Sequence, residues 1–300
     1  MARRFIVLAL ASLSLCLTPN AIAKDKVTAP DILPTDFLAA PQSRAVCVIL
    51  AQSGVTAGYT PSELKGIAVY GGLSGLIAED MQNSSRAGKA DKLTTAINTQ
   101  VGDLGVDALA RKSAAEALAG VSWLSSAPIT FSKDGSPAGK SAFLDSAAAD
   151  QGVFVEYAYD LSADFSTLRL VETISVARRA AVPGKSKPVD RLRPDNMIYS
   201  QSIVVSVQIP GTMYHAKEDN AALWSAKNGD RLRRALTQAF ATATRLTPRT
   251  LEMTYPKSFE LASYSRPGFA LDGETARVIE QNGYDRVVWL RRFVAVEYLH

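Results

Sequence analysis

Cys47 and His215 could do chemistry together, because a thiol and an imidazole make a nucleophile and its base wherever a fold sets them side by side. Nothing in the sequence around either residue brings them together. Cys47 lies in AVCVILA, a run rich in β-branched residues, which predicts a buried strand and a thiol that packs instead of reacting. Glu156 and Asp160 form a second pair. On a strand they share a face about 13 Å apart, wider than the carboxyl gap of glycosidases. The run from Asp160 to Asp164 lacks the alternating oxygens and the glycine of a calcium loop. It reads as an Asx turn closing a hairpin. Ser74 in YGGLSGL comes nearest to a nucleophile elbow, yet no Gly-x-Ser-x-Gly occurs and Ser74 falls in a predicted helix. His215 and His300 are the only histidines, too few for a zinc site by spacing. No glycine-rich phosphate cradle is present either. The sequence therefore assigns no catalytic, cofactor-binding or metal-ligating residue.

The elements that would have to position such groups begin with an export signal. Arg3 and Arg4 precede an apolar run from Phe5 to Leu17, and Ala21-Ile22-Ala23 supplies a small-x-small cleavage site. Residues 1–23 thus read as a secretory signal peptide, with the mature chain starting near Lys24. Leu15 before Cys16 does not suit lipidation. Once Arg3 and Arg4 are removed, 31 of the 33 Lys and Arg remain and nearly balance the 29 Asp and Glu, and no patch dense enough for nucleic acid remains. Cys47 is then the sole cysteine. The core must hold the fold without a disulfide.

Residues 24–43, with Pro30, Pro34 and Pro41, predict an extended linker, and residues 44–300 a single domain. The first strand runs from Arg44 to Ala51. Thr60-Pro61-Ser62-Glu63 then announces a helix with an N-cap, a first-position proline and a capping box. Its continuation, GIAVYGGLSGLIAED, is apolar on every side and carries Gly71, Gly72 and Gly75. The charge-free part, residues 66–78, is shorter than the ~20 residues that cross a bilayer. Gly71 and Gly75 accordingly predict a groove where another element packs closely; a membrane-associated role for 66–78 stays as an alternative.

Further helices are expected over Ala87–Asn98, Val106–Ala119 and Asp219–Leu246, the last with a break at Asn228-Gly229-Asp230. VSWLSSAPITFS reads as extended and Lys133–Lys140 as a loop. Three alternating runs, from Val153 to Leu161, from Leu168 to Val176 and from Ile203 to Ile209, predict one antiparallel sheet with a covered face. Asn282-Gly283 predicts a closing hairpin.

The segments YGGLSGLIAEDMQNSSRAGKADKLTTAINTQVGDL, EYAYDLSADFSTLRLV, LWSAKNGDRLRRALTQAF and RVVWLRRFVAVEYL together resemble a loosely defined group of exported proteobacterial proteins with no assigned activity. The resemblance implies bacterial export and carries no functional residue. The whole reading is an α+β domain, with an antiparallel or mixed sheet and helices packed on one face. It is expected to be periplasmic or secreted and non-enzymatic, a binding module for an envelope protein or small ligand, with no cofactor and no nucleic acid and with peripheral membrane contact as an option. The alternative is a hydrolase with an unrecognised site. An outer-membrane barrel ranks third, because barrels need at least about eight tilted strands where long stretches here are helical.

Overall fold

The computed structural model describes residues 31–34, 37, 42–57, 84–180, 191–193, 196–212, 215–264, 266–271 and 274–300. The signal sequence, Ser74 and the glycine-bearing segment 66–78 lie outside the described residues.

The chain folds as an α+β domain around a ten-stranded mixed sheet ordered β3-β1-β4-β5-β6-β10-β9-β8-β7, with the short β2 (Thr56–Ala57) pairing β4. β4 (Gln151–Leu161), β5 (Thr167–Arg178) and β6 (Tyr199–Gln208) form the antiparallel centre that the alternating runs predict. β1 (Arg44–Ile49) and β3 (Ile129–Ser132) join one side in parallel. On the other side β10 (Phe293–Tyr298) lies parallel to β6, followed by β9 (Asp285–Trp289), β8 (Glu274–Asn282) and β7 (Arg266–Leu271).

Alternation sorts the side chains. Val46, Val48, Val153, Val155, Leu168, Leu170, Ile174, Ile203 and Val205 enter the main core against three helices, α1 (Ser84–Val101), α2 (Val106–Ala119) and α4 (Lys217–Leu251). In α4 Leu232, Ala235, Leu236, Ala239, Phe240, Ala243 and Leu246 are all buried, the stripe its helical period predicts. Trp224 is fully buried and donates from Nε1 to the Phe165 carbonyl at 2.7 Å, a core anchor.

α4 breaks where expected. Ala226 to Gly229 leave helical geometry, and Lys227, Asn228 and Gly229 all have positive φ. Arg233 just past the break donates to the carbonyls of Val101 at 2.9 Å and Asp103 at 3.2 Å, so it satisfies the end of α1.

The opposite sheet face carries α3 (Pro137–Ser146), whose Leu144 packs with Cys47, Ile49, Phe154 and Ala177. This helix replaces the loop predicted over 133–140. Ser136 caps it by accepting from the Gly139 amide at 3.0 Å, and Pro137 takes its first turn. Upstream of it, residues 121–128 form turns, and only Ile129–Ser132 are strand. α5 (Tyr255–Tyr264) follows α4. Within the stretch expected as a linker, Leu33 and Phe37 are buried in the main core, so packing extends upstream of Arg44.

Candidate functional site

Cys47 is 4% exposed, and burial pushes its thiol pKa up, with Thr130, Glu156 and Lys140 as the groups that act on it. His215 is not among them. Its backbone amide closes a turn on the Thr212 carbonyl, ahead of α4. The structure therefore does not assemble the thiol–imidazole pair.

The two carboxylates of β4 are also separate, each with its own cation. Glu156 meets Lys140 at 2.6 Å, and Asp160 accepts from Arg169 Nε and Nη2, both at 2.7 Å. Burial raises both carboxyl pKa values and the cations pull them back. Asp164 makes the turn predicted for it, accepting from Ser162 Oγ at 2.6 Å, Ser166 Oγ at 2.9 Å and the Ser166 amide at 3.1 Å. Burial pushes its carboxyl up, but these hydrogen bonds outweigh burial and hold it below the usual range. Among the described residues no three His, Cys, Asp or Glu side chains gather as a metal group.

Two places missed by the sequence reading carry unusual chemistry. The first is Glu172, fully buried in the centre of β5 on the face that packs against α2 and α4. The alternation Leu168, Leu170, Glu172, Ile174, Val176 places it inward, a signal available in the sequence. Its Oε1 lies 3.3 Å from Tyr157 Oη and its Oε2 2.8 Å from Thr247 Oγ1. Thr247 Oγ1 is also 2.8 Å from the Ala243 carbonyl. The Thr247 hydroxyl thus has two acceptors, the Glu172 carboxyl and the Ala243 carbonyl, for its single proton. Burial pushes the carboxyl up to about 7, against the smaller opposing pull of the Thr247 and Tyr157 hydrogen bonds. Ser113 Oγ of α2 and Thr244 Oγ1 of α4, 2.7 Å apart, extend the polar cluster.

The second place is a cleft of about 470 Å³ at the N-terminal end of β1, walled by the Trp123–Pro128 turns, Thr130 of β3, Phe143 of α3 and the chain from Ser146 to Ala149. Its volume falls within the range of small-ligand sites. Arg44 stands at its wall. The guanidinium lies 4.7 Å from the Phe37 ring centroid and 5.0 Å from that of Trp123, within cation–π distance of both rings. Nε donates to Gln151 Oε1 at 3.0 Å, Nη1 to the Trp123 carbonyl at 3.3 Å and Nη2 to the Phe37 carbonyl at 3.2 Å. All three acceptors are neutral. Burial draws the Arg44 pKa down from its ordinary value, the cost of a cation held without a carboxylate. The Trp123 indole N–H is buried with no hydrogen-bond partner among the described residues. A cation whose hydrogen-bond acceptors among the described residues are all neutral oxygens, beside aromatic rings, suits an anionic or carbonyl-rich ligand with an apolar body.

Arg44 and Trp123 were not legible as a site because each sits in an ordinary local pattern, and only the fold brings Phe37, Arg44 and Trp123 together. Compared with known protein families, curated proteins and solved structures, the chain matches none.

Proposed function

We propose that this chain is an exported cell-envelope protein that works by binding, and that the cleft beside Arg44 and Trp123 receives its ligand. One observation carries the reading: a half-buried arginine with no carboxylate partner among the described residues, within cation–π distance of two aromatic rings at the wall of a ligand-sized cleft. The arginine supplies attraction for a carboxylate or carbonyl group, and Trp123 and Phe143 supply apolar contact for the remainder. Export rests on Arg3-Arg4, the apolar run and Ala21-Ile22-Ala23, and the resemblance to exported proteobacterial proteins agrees with it. No described helix is long and apolar enough to cross a membrane.

Titration of the purified protein with aromatic carboxylates such as phenylacetate, followed by tryptophan fluorescence, tests the binding claim. Binding is expected to disappear in Arg44→Gln and the fluorescence change in Trp123→Phe. Absence of any response in the parent protein overturns the assignment of the cleft. Export has its own check. N-terminal sequencing of protein recovered from the periplasm should begin at or near Lys24, and an intact Met1 defeats it.

A further inference from the structure

The polar cluster inside the main core joins four elements through side chains. Tyr157 comes from β4, Glu172 from β5, Ser113 from α2, and Thr244 and Thr247 from α4. Tyr199 of β6 adds a further tie by donating to the Thr250 carbonyl of α4 at 3.3 Å. A buried network of this kind fails where one member changes charge, because an ion in a dry core needs more donors than a neutral acid does. Glu172 is that member.

A neutral Glu172 satisfies the contacts around it. Its carboxyl proton goes to Thr247 Oγ1, the Thr247 proton goes to the Ala243 carbonyl, and the other carboxyl oxygen accepts from Tyr157 Oη. An ionised Glu172 has no proton to give. It then competes with the Ala243 carbonyl for the Thr247 proton, and no cation among the described residues contacts it. The charged side chains of the surrounding elements are engaged elsewhere. On α4, Arg245 and Arg249 bind Glu280; on α2, Lys112 pairs with Glu116, Asp107 with Lys133, and Arg111 lies over the Phe131 ring. Glu156 and Asp160 of β4 meet Lys140 and Arg169, and Glu297 of β10 accepts from Gln238 and Thr242. Tyr157 and Tyr199 are the titratable groups that face Glu172. Burial pushes both phenols well above their ordinary value, so they stay neutral wherever Glu172 titrates.

α4 can answer a charge at Glu172 with one end. Its first turns are fixed by Trp224 on the Phe165 carbonyl and by Asn220 on the Asp164 carbonyl at 2.9 Å, and the left-handed break from Ala226 to Gly229 separates them from the rest. Past the break, Gln238 and Thr242 hold the helix along β10 through Glu297. Residues 243–251 have their polar ties to the centre of the sheet through Thr247 and the Thr250 carbonyl.

We propose that the cluster is a proton-closed joint: neutral Glu172 locks residues 243–251 of α4 onto the sheet by donating to Thr247, and loss of its proton to solvent opens that end of the helix without unfolding the domain. Burial holds the carboxyl up at about 7. The joint is therefore closed in acid and opens as pH rises through that value.

Hydrogen exchange of the intact protein, read by mass spectrometry from pH 5 to pH 8 and corrected for intrinsic rates, tests the joint. Amides of 243–251 are expected to lose more than about tenfold of their protection across this range. At pH 8 they should exchange with little dependence on dilute urea, while 217–225 and the centre of the β4–β5 pair keep higher protection that urea erodes. Glu172→Gln, neutral at every pH, should remove the pH dependence of 243–251. Should that variant fail to fold, Thr247→Val decides. It deletes a hydrogen bond that favours the ionised carboxyl, so the pH at which 243–251 open should move upward. Equal protection of 243–251 at pH 5 and pH 8 overturns the joint, as does a pH dependence that Glu172→Gln retains or a midpoint that Thr247→Val leaves in place. A loss spread evenly over all three regions with full urea dependence also overturns it, since global destabilisation then accounts for the whole effect.

Discussion

Glu172 places an acid where an aliphatic side chain would otherwise complete the β5 face of the core, and its full burial favours the neutral form against the smaller pull of two hydroxyl hydrogen bonds. The consequence for stability has a definite sign. The unfolded carboxyl titrates near 4.5 and the folded one near 7. Stability is therefore full below pH 4.5 and falls as pH rises through 7, because ionisation then favours the unfolded chain. The difference is on the order of 3 kcal/mol. Urea unfolding at pH 5 and pH 8 should show the loss in the parent, and Glu172→Gln should remove most of it. Equal pH dependence in the two proteins would show that another group is responsible. Cys47 gives a second residue-scale expectation. It packs among Ile49, Leu144 and Phe154, and burial holds its thiol protonated. Thiol reagent should react slowly without denaturant, and Cys47→Ala should cost about 1 kcal/mol through lost packing. Rapid labelling of the native protein would contradict that placement.

Among the elements, the break in α4 is where one side chain decides the geometry. Gly229 has φ of 77°, and a Cβ there would come within 2.5 Å of Val101 Cγ1 at the end of α1. Gly229→Ala should therefore lower stability by roughly 1–3 kcal/mol, from left-handed strain and displacement of α1. Thermal melts beside Gly211→Ala test this, since Gly211 shares a positive φ but has no atom within 4 Å of its added Cβ. A larger loss at Gly211 would point to backbone strain alone. Elements with a strong local period were legible: the β4–β5 hairpin, the β6 register and the stripe of α4 all follow from alternation or helical spacing. The missed ones have conflicting local signals. Around α3, Gly135, Pro137 and Gly139 read as breakers, although Ser136-Pro137 is also a cap followed by a first-turn proline. The closing hairpin shows the same ambiguity one residue along. Asn282 pairs with Asp285, so the turn is Gly283-Tyr284, and Gly283 carries the positive φ. The strand expected to continue from it divides at Leu290–Arg292, where Arg291 has positive φ, into β9 and β10. Neither the parallel contact of β10 with β6 nor the Arg44 cleft leaves a local trace, because both join residues far apart in the chain.

At the scale of the whole molecule, the last strand in the chain is a central one in the sheet. β10 alone connects β6 to β9, and through β9 to β8 and β7. A chain ending at Arg292 should lose the two-state urea transition, with the β7–β9 portion melting apart from the β1–β6 portion. Coincident transitions by circular dichroism and tryptophan fluorescence in the truncated chain would refute this. Under the export proposed above, in which the chain is threaded through a pore N-terminus first, the order of emergence then matters. Until residues 293–300 clear the pore, β6 offers an unpaired hydrogen-bonding edge flanked by Ile203, Val205 and Val207. On that proposal the chain stays adhesive until β10 has emerged, and an interrupted passage should leave it captured by whatever binds bare strands.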